Sequence, residues 1–377
     1  MTASGPLAGI TILELAGLGP APYAATVLAE FGANVIRVDR PGGIGLKVSA
    51  HDALNRSRQN VILNLQHEQA AAIYLELVQG CDVVIDPYRP GVADRLGIGP
   101  QACHEVNPGL VYAQMTGWGQ TGPLAQRAGH DINYLGLTGA LGAIGSAAKP
   151  RQPLNIGADF GGGAMFLITG ILAGLLARST SGEGQVIDVA MVDGASSLTT
   201  MIYGLHADGA WQDEREANLL DGGAPFYDTY ECKDGKFVSV GALEPEFFSV
   251  LLDQLGLDFD QYDRQCWPAM RAAFTQAFAA KSRDDWAKIF EDQDACVYPV
   301  LSLAEAPHHR HMAARGVFEP YLNGHQPRSA PVFSRTTLQP IGHEAEPGEH
   351  TTEILQSFGL SDERIDQLLA DGVVEQH

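Results

Sequence analysis

The sequence of 377 residues predicts an α/β protein with a mostly parallel sheet and a second, smaller α+β region. Two observations support this. Over roughly the first half of the chain, short apolar runs of β character alternate with segments of helical periodicity, which is typical of a parallel sheet of Rossmann type. From Asp221 the pattern changes to a hairpin followed by helices. The composition, 45% hydrophobic and 18% charged, allows a large core.

The strands of the first region are predicted from short runs rich in β-branched residues, and its helices from apolar residues at helical spacing. The predicted strands are Ile10–Leu15, Asn34–Asp39, Val61–Leu65, Asp82–Ile85, Leu110–Met115 and Val186–Val192. The predicted helices are Ala24–Glu30 and Glu68–Gln79. The most apolar stretch, 164–177, is short and rich in glycine, which suits a buried helix.

The second region is predicted from a change in turn chemistry. Residues 224–240 indicate a hairpin whose turn is Lys233-Asp234-Gly235. Helical segments follow at 247–255 and 270–290, and the latter contains a cap-like Ser282. Residues 194–220 and the Pro-, His- and Gly-rich stretch from 307 to 349 are predicted to be linkers. The last segment, 351–369, has helical periodicity broken at Gly359, with Ser361 as an N-cap.

The net charge of −21 excludes nucleic acid as a partner, because phosphate binding requires a basic surface. It also means that an anionic ligand must be held by a local group of arginines. Candidate arginines stand at or just after the predicted strand ends, where open α/β sheets bind their ligands. They are Arg40, Arg56 or Arg58, Arg89 and Arg95. The alternative for each is a solvated loop residue, but their recurrence after several strands favours an anion site.

Three features bear on location and redox state. Scattered cysteines without a CxxC pair predict reduced thiols and no zinc site. Neither an apolar run of about 18 residues nor a signal-peptide pattern occurs in the sequence, so we expect a cytoplasmic protein without a membrane partner. The cysteines are Cys81, Cys103, Cys232, Cys266 and Cys296.

The turn between the first strand and the first helix stands where a dinucleotide fingerprint would lie. Its sequence is Gly17-Leu18-Gly19-Pro20-Ala21-Pro22, and Asp39 ends the second strand. However, Pro22 occupies the third glycine position and Pro20 removes a backbone donor from the phosphate cradle. The sequence therefore predicts a tight turn with proline at the helix start, and no NAD.

Three segments carry candidate catalytic groups. His130 and Asp131 open a predicted helix after a glycine-rich stretch, Asp159 precedes three glycines, and Glu244 ends a β run. Histidine titrates near neutral pH, and a carboxylate at a helix mouth can act as an acid or a base. Taken singly, each has an ordinary interpretation: a surface histidine, an N-cap and a loop glutamate. Spacing alone leaves these alternatives open.

Long blocks of the chain nevertheless resemble the α-methylacyl-CoA racemases of the family III CoA-transferase (CaiB/BaiF-like) superfamily. The blocks that carry the resemblance are VYAQMTGWGQTGPLAQRAGHDINYLGLTG, PLNIGADFGGGAMFLITGILAGL, GQVIDVAMVDG and LDGGAPFYDTYECKDGKFVSVGALEPEFF. The opening segment from Gly5 to Gly43, PYRPGVADRLGIGP and the closing GEHTTEILQSFGLSDERIDQLLADGVV also resemble this family. The resemblance extends over essentially the whole chain.

The resemblance implies a large Rossmann-like domain made from both chain ends, with a smaller α+β domain joined to it by two long linkers in an interlocked homodimer. The expected ranges are 1–190 and 331–377 for the large domain, 191–223 for the linker, 224–307 for the small domain and 308–330 for the return linker. The active site is expected where domains of different subunits meet.

The resemblance also implies roles for individual residues. His130 and Asp159 match the two acid–base groups, Glu244 a glutamate that assists the histidine, and Asn155 a helper of the aspartate. Gln66 stands where relatives can carry a lysine, which would remove one phosphate contact. The residues expected to contact the CoA thioester are Arg40, Leu63, Asn64, Leu65, Gln66, Pro87, Tyr88, Arg89, Arg95, Gly129, Ile132, Asn133 and Tyr134.

The function expected from these matches is racemisation of a 2-methylacyl-CoA by proton removal and delivery on opposite faces of the α-carbon. Backbone N–H groups at the helix start at Asp131 are predicted to stabilise the enolate. No metal or redox cofactor is expected, since CoA is part of the substrate. Two alternatives are a family III CoA-transferase with Asp131 as nucleophile and a non-catalytic acyl-CoA-binding protein. His130, directly before Asp131, favours the racemase, because the transferases typically carry a non-basic residue there.

Overall fold

The computed structural model describes residues 4–43, 53–338 and 340–377. The chain forms two compact units. We call them the sheet unit and the second unit. The sheet unit consists of Met1–Thr138, Pro153–Thr200 and Ser329–His377, and the second unit of Gly139–Gln152 and Met201–Arg328.

The strands and helices are numbered in chain order. The strands are β1 Thr11–Leu15, β2 Asn34–Asp39, β3 Gln59–Leu63, β4 Val83–Asp86, β5 Val111–Thr116, β6 Gly145–Ser146, β7 Lys149–Pro150, β8 Gln185–Ala190, β9 Tyr227–Glu231, β10 Phe237–Gly241, β11 Val297–Pro299, β12 Phe318–Tyr321, β13 Gly324–Pro327 and β14 Val374–Glu375. The α-helices are α1 Pro20–Glu30, α2 Ala70–Gln79, α3 Val92–Arg95, α4 Pro100–Val106, α5 Asp131–Leu137, α6 Ala140–Ala143, α7 Met165–Ser181, α8 Met191–Leu198, α9 Thr200–Ala207, α10 Pro245–Leu255, α11 Trp267–Phe278, α12 Arg283–Phe290, α13 Arg310–Arg315, α14 Thr351–Ser357 and α15 Asp362–Ala370. A π-helix, Ile156–Ala164, runs directly into α7.

The sheet unit is built on a sheet with strand order β14-β3-β2-β1-β4-β5-β8, in which seven strands lie within the described residues. Neighbouring strands pair in parallel, except that β14 is antiparallel to β3. The strand order reverses between β1 and β4, and ligands of open α/β sheets bind at such a switch point, beyond the carboxyl ends of the strands. The predicted parallel sheet is confirmed.

Helices cover both faces of this sheet, which explains why its strands are near-continuous apolar runs. On one face Leu13, Leu15 and Tyr112 form a buried cluster with residues of α2, α4, α14 and α15. On the other face α7 packs against β5 and β8, with Gly174 facing Val111 and Ile187. The chain's C-terminal helices thereby complete the core of its N-terminal strands.

Helix α7 is buried on one side only. Its Leu167, Ile168 and Ile171 are buried against the sheet, whereas Leu176 on its other side is 72% exposed. The prediction of a buried helix over 164–177 is therefore right for one face and wrong for the other. The expectation that no apolar run of about 18 residues occurs is wrong for Ile156–Ser181, which is long and apolar enough to cross a membrane by length and composition alone. The core helix of a soluble protein passes the same test.

The second unit has its own core. The predicted hairpin is confirmed as β9 and β10, and β11 adds a third antiparallel strand. Helices α10, α11 and α12 pack their aromatic residues against this sheet, and Tyr230, Phe278 and Trp286 form a chain of ring contacts. The Ser282 hydroxyl accepts a hydrogen bond from the Asp285 N–H, so the predicted cap at this helix is also confirmed.

Some predicted boundaries differ from the structure. The strand predicted to continue to Val192 ends at Ala190, because α8 begins at Met191. Gly139–Gln152, assigned above to the large domain, clusters with the second unit. The segment predicted as a linker over 191–223 contains α8 and α9, and the return linker over 308–330 contains α13 and the hairpin of β12 and β13.

Candidate active site

His130 stands immediately before α5 as its N-cap residue, and its side chain faces solvent. Its backbone is extended, and its N–H donates a 3.0 Å hydrogen bond to the Asn133 Oδ1. The carbonyl of His130 accepts hydrogen bonds from the N–H groups of Asn133 and Tyr134. The backbone of His130 is thus fixed by the first turn of α5 while its imidazole stays accessible to a ligand.

An aromatic pair fixes the residue before His130. The buried Tyr134 donates a 2.6 Å hydrogen bond to the Gly129 carbonyl, and its ring meets Trp118 edge-on at 4.7 Å. A Cβ on Gly117 or on Gly129 would overlap the Tyr134 ring, so both glycines are required for this packing. Trp118 was not singled out from the sequence, although the Gly-Trp-Gly context is a signal for a tightly packed aromatic ring.

Asp131 connects α5 to the π-helix. It is only 5% exposed, and its Oδ1 accepts hydrogen bonds from the backbone N–H groups of Ala158 at 2.7 Å and Asp159 at 2.8 Å. Its Oδ2 is buried and has no hydrogen-bond partner among the described residues. Asp131 therefore holds the backbone of Asp159 beside the start of α5. The sequence identified both aspartates but not this connection between them.

Asp159 lies inside the π-helix, four residues beyond the N-cap Asn155, so the N-cap interpretation of Asp159 is wrong. The carboxyl group is half-buried. Burial raises its pKa above the ordinary value, the nearby Asp131 raises it further, and Asn155 and His130 lower it. Asn155 Nδ2 donates a long hydrogen bond of 3.5 Å to Asp159 Oδ2. A carboxyl with a raised pKa is suited to donating a proton as well as accepting one.

The glycines that follow Asp159 allow a close approach between backbones. A Cβ on Gly162 would overlap Ala195 of α8, and a Cβ on Gly194 would overlap the Gly162 carbonyl. Single π-helical turns inside α-helices are frequent at functional sites, where they change the direction of a side chain. Here the π-helix holds Asp159, and the glycine contact with α8 fixes its position.

Three of the predicted arginines fit an anion site and one pair does not. Arg40, Arg89 and Arg95 follow the carboxyl ends of β2 and β4 and are exposed. In contrast, Arg58 is buried and pairs with Glu14, and Arg56 pairs with Glu30. The assignment of Arg56 or Arg58 to the anion site is a wrong prediction. The strand-end rule locates a residue but does not distinguish an exposed arginine from one that neutralises a buried carboxylate.

The turn that carries Arg89 is anchored by Asp86, a residue that sequence reasoning missed. Asp86 is buried at the end of β4, its Oδ1 accepts the Tyr88 N–H at 2.9 Å, and its Oδ2 accepts the Tyr112 hydroxyl at 3.0 Å. Burial raises the pKa of Asp86 to about 6. A Cβ on Gly17 would lie 2.7 Å from Pro87, so the turns after β1 and β4 pack directly against each other.

The turn rejected as a dinucleotide fingerprint has the predicted geometry. Gly19 has a φ of 67°, and α1 begins with Pro20. Asp39, the acidic residue that would bind a ribose in a dinucleotide site, is buried and accepts hydrogen bonds from Arg37 and Asn60. Its carboxylate is therefore occupied by the protein.

The family described as "CoA-transferase family III" matches residues 7–351. The chain belongs to CoA-transferase family III.

Two relatives within this family have the same name. A mouse (Mus musculus) protein named "Alpha-methylacyl-CoA racemase" is 43% identical, covering 98% of this chain and 97% of the relative. A human (Homo sapiens) protein of that name is 42% identical, covering 98% of each. An "Acetyl-CoA:oxalate CoA-transferase" of Acetobacter aceti is 30% identical, covering 83% of this chain and 85% of the relative. The racemases are thus more similar to this chain than this transferase is.

Solved structures agree with the fold of family III. A CAIB/BAIF family protein from Brucella suis superposes with a TM-score of 0.80, covering 94% of this chain and all of that chain, at 24% sequence identity. At this identity the similarity concerns the fold. The Rossmann-like α/β architecture predicted from the sequence is that of the family.

The side chains of the segments predicted to contact CoA differ in their exposure to solvent. Leu63 is buried in β3 and Leu65 packs on the core, whereas Asn64 is half-buried and Gln66 is exposed. Ile132 and Asn133 are exposed on α5 and Gly129 is partly exposed. Any contact of Leu63 with a ligand would therefore be made by its backbone. The contacts themselves stay predictions.

Glu244, predicted to assist His130, belongs to the second unit of this family III chain. It is exposed, and it is the N-cap residue of α10, three residues after Gly241, the last residue of β10. Burial raises the pKa of the nearby Cys296 thiol, and the charge of Glu244 raises it further. The partnership of Glu244 with His130 stays a prediction.

Proposed function

We propose that this protein is a racemase that interconverts (2R)- and (2S)-2-methylacyl-CoA thioesters. The observation that carries the proposal is the whole-chain similarity to the mouse protein named "Alpha-methylacyl-CoA racemase", 43% identical over 98% of this chain. The site supports it, because an accessible histidine precedes the aspartate whose carboxylate holds the backbone of Asp159. Two groups able to exchange protons therefore come from one connected cluster.

In the proposed reaction, proton transfer passes through an enolate of the thioester. His130 removes the α-proton from one epimer, and protonated Asp159 delivers a proton to the opposite face of the carbon. The roles reverse in the return direction. The raised pKa of Asp159 supports this role, because the acid must hold its proton until the enolate forms. Negative charge on the thioester oxygen would be stabilised by the first backbone N–H groups of α5.

The alternative, a CoA-transferase with Asp131 as nucleophile, is disfavoured by the surroundings of that residue. The carboxylate is 5% exposed, and its Oδ1 already accepts two backbone N–H groups. Its other oxygen, Oδ2, accepts no hydrogen bond among the described residues but is buried, so a thioester could reach it only after the surrounding residues moved. The same hydrogen bonds are retained throughout a proton transfer between His130 and Asp159.

The deciding experiment is incubation with a single 2-methylacyl-CoA epimer in deuterated water, without an acceptor acid. We expect deuterium at C2 together with loss of optical purity. CoA transfer that starts only when a second carboxylic acid is added would contradict the racemase and support the transferase. Binding without exchange or transfer would indicate a non-catalytic acyl-CoA-binding protein.

Further proposals concern partners and location. The proposed chemistry requires no metal or redox cofactor, and we propose a cytoplasmic enzyme without nucleic-acid or membrane partners. Self-association is supported by apolar side chains left exposed on two helices of the sheet unit, Leu176 on α7 and Leu198 on α8. Light scattering coupled to gel filtration should give twice the chain mass of 40.2 kDa. A monomer at micromolar concentration would contradict the interlocked homodimer.

A further inference from the structure

The start of α1 lies against the carboxyl group of Asp159. A Cβ built on Gly19, the residue before α1, would be 3.4 Å from Asp159 Oδ2. The next residue along the π-helix, Phe160, packs its ring on Tyr23 of α1 at 4.8 Å. The N-terminal end of an 11-residue helix therefore faces the side chain that is proposed to deliver a proton.

A helix N-terminus normally stabilises a nearby carboxylate. Its first N–H groups have no partner within the helix, point out of its end, and form hydrogen bonds to an anion, which lowers the pKa of an acid there. Asp159 shows the opposite direction, since its pKa is raised. The hydrogen bond recorded for its carboxylate among the described residues is the 3.5 Å contact with Asn155.

Burial and Asp131 raise this pKa, and the sequence of α1 explains why few backbone donors offset the rise. Its first and third residues are Pro20 and Pro22, neither of which has an N–H, and the first N–H bonded within the helix is that of Tyr23 to the Gly19 carbonyl. Ala21 is left as the single donor in the first three positions. These residues are buried, and the Pro22 carbonyl accepts a hydrogen bond from Arg58 at 2.8 Å, which fixes the turn.

We propose that Pro20 and Pro22 are positioning residues of the reaction, which withhold backbone donors from Asp159 and thereby keep its side chain able to carry and deliver a proton. The proposal rests on the proposed function, because it takes Asp159 as an acid–base group. It gives a role to the proline-containing turn that departs from the dinucleotide fingerprint. Because neither proline has a backbone N–H, the start of α1 offers a carboxylate fewer hydrogen-bond donors than an ordinary helix start does.

Other titratable groups near Asp159 do not account for the role given to α1. Asp131 raises the pKa of Asp159, and His130 lowers it. Burial raises the pKa of Tyr134 of α5, Asp159 raises it further, and Arg89 lowers it. The first turn of α1 contributes no acidic side chain. Its titratable residue, Tyr23, packs its ring on Phe160. An influence of this turn on Asp159 would therefore come through its backbone, which is the part that proline alters.

The test is the pH profile of epimer exchange in deuterated water for Pro22→Ala and Pro20→Ala. Each variant restores one N–H at the start of α1. We expect the acidic limb of kcat/KM to move to lower pH by about one unit, while the alkaline limb stays in place. The matched control is Pro100→Ala, which changes the first residue of α4, a helix of the same unit that also begins after a glycine. Its profile should match that of the unaltered protein.

A second comparison separates this effect from a general loss of structure. In an Asp159→Asn background, Pro22→Ala should no longer move the acidic limb of the residual exchange, because no carboxylate remains to accept the new hydrogen bond. If Pro22→Ala fails to fold, Pro20→Ala decides, since the N–H of the first helical residue is not used within the helix. Unchanged acidic limbs in both folded proline variants would overturn the inference. Absence of exchange in the unaltered protein would instead overturn the proposed function.

Discussion

Two groups of charged residues occupy neighbouring parts of the sheet unit and are organised in opposite ways. Beneath β1–β3, the fully buried Glu14 pairs with Arg37 and Arg58. At the candidate site, Asp159 accepts one long hydrogen bond and the Asp131 Oδ2 accepts none within the described part of the chain. The comparison shows that paired buried charges hold the fold together here, whereas incompletely satisfied ones lie at the proposed site of chemistry.

The largest expected effect comes from breaking the paired group. Arg58→Met removes one of the arginines paired with the buried Glu14 and keeps its 3.4 Å contact with Arg37. We expect a loss of about 3–5 kcal/mol in the free energy of unfolding, since a buried charge loses its partner. Urea denaturation measures it. The exposed Arg95→Met serves as the control and should change stability by less than about 0.5 kcal/mol. Equal stabilities of the two variants would show that the buried network is not structural.

A substitution at the candidate site should instead change the activity and leave the stability nearly unchanged. His130→Ala removes a solvent-facing side chain, so stability should be nearly unchanged, while deuterium exchange of at least one epimer should fall by about 10²–10³-fold. Both are measured on the same preparation, by urea denaturation and by mass spectrometry of the acyl-CoA. His343→Ala, which alters another exposed histidine, is the control. Exchange of both epimers at the normal rate would remove His130 from the mechanism.

Asp86 combines features of the two groups. It is buried, and its carboxylate accepts hydrogen bonds from a tyrosine hydroxyl and a backbone N–H. Its pKa is raised to about 6, so between pH 4 and pH 6 the folded protein holds a proton that the unfolded chain releases. Stability should therefore fall as pH rises through this window, by about 3 kcal/mol from this group. Asp86→Asn, which keeps an oxygen for the Tyr88 N–H, should flatten this part of the profile. Urea midpoints at pH 4, 5, 6 and 7 give the answer, and an unchanged slope would contradict it.

The smallest effect is expected at the exposed arginines. Arg89→Ala should raise KM for the acyl-CoA by about tenfold, with kcat and stability nearly unchanged, because a surface contact to a phosphate contributes about 1.4 kcal/mol. Arg89→Lys keeps the charge and should recover part of the affinity. Initial-rate measurements separate the two constants. A fall in kcat at constant KM would place Arg89 in the chemical step instead.

Local sequence signals predicted much of the fold. Asn34–Asp39 was predicted with the bounds that β2 has, and the Ser361 hydroxyl accepts the Arg364 N–H as an N-cap should. The helix predicted from Ala24 begins at Pro20 in the structure. The prediction started late because a proline in a first helical turn does not itself show helical periodicity. Local sequence patterns are therefore sufficient to predict those strands, helices and caps whose structure is determined by residues close together in the sequence.

The site was less predictable because its connections are distant in sequence. Asp131 reaches the N–H groups of residues 158 and 159, and Arg58 reaches Glu14, 44 positions away. Sequence periodicity gives no sign of such contacts, which is why Arg56 or Arg58 was expected at the anion site and the hydrogen bonds of Asp131 were not predicted. The π-helix was also missed, since its residues have the composition of any glycine-rich helix. Identification of His130 and Asp159 came from the resemblance to a family.

The π-helix has a consequence for how this site tolerates change. A π-turn contains one more residue than an α-turn, and each residue of an α-helix advances the side-chain direction by about 100°. Deleting one residue from Gly161–Gly163 would let the segment relax into the regular helix that follows, and it would also alter the close contact of Gly162 with α8. Asp159 would then swing to a different side of the helix axis. The direction of this carboxyl group is thus set by the number of residues between it and α7, so an insertion or deletion there should displace it, as should a larger side chain at Gly162.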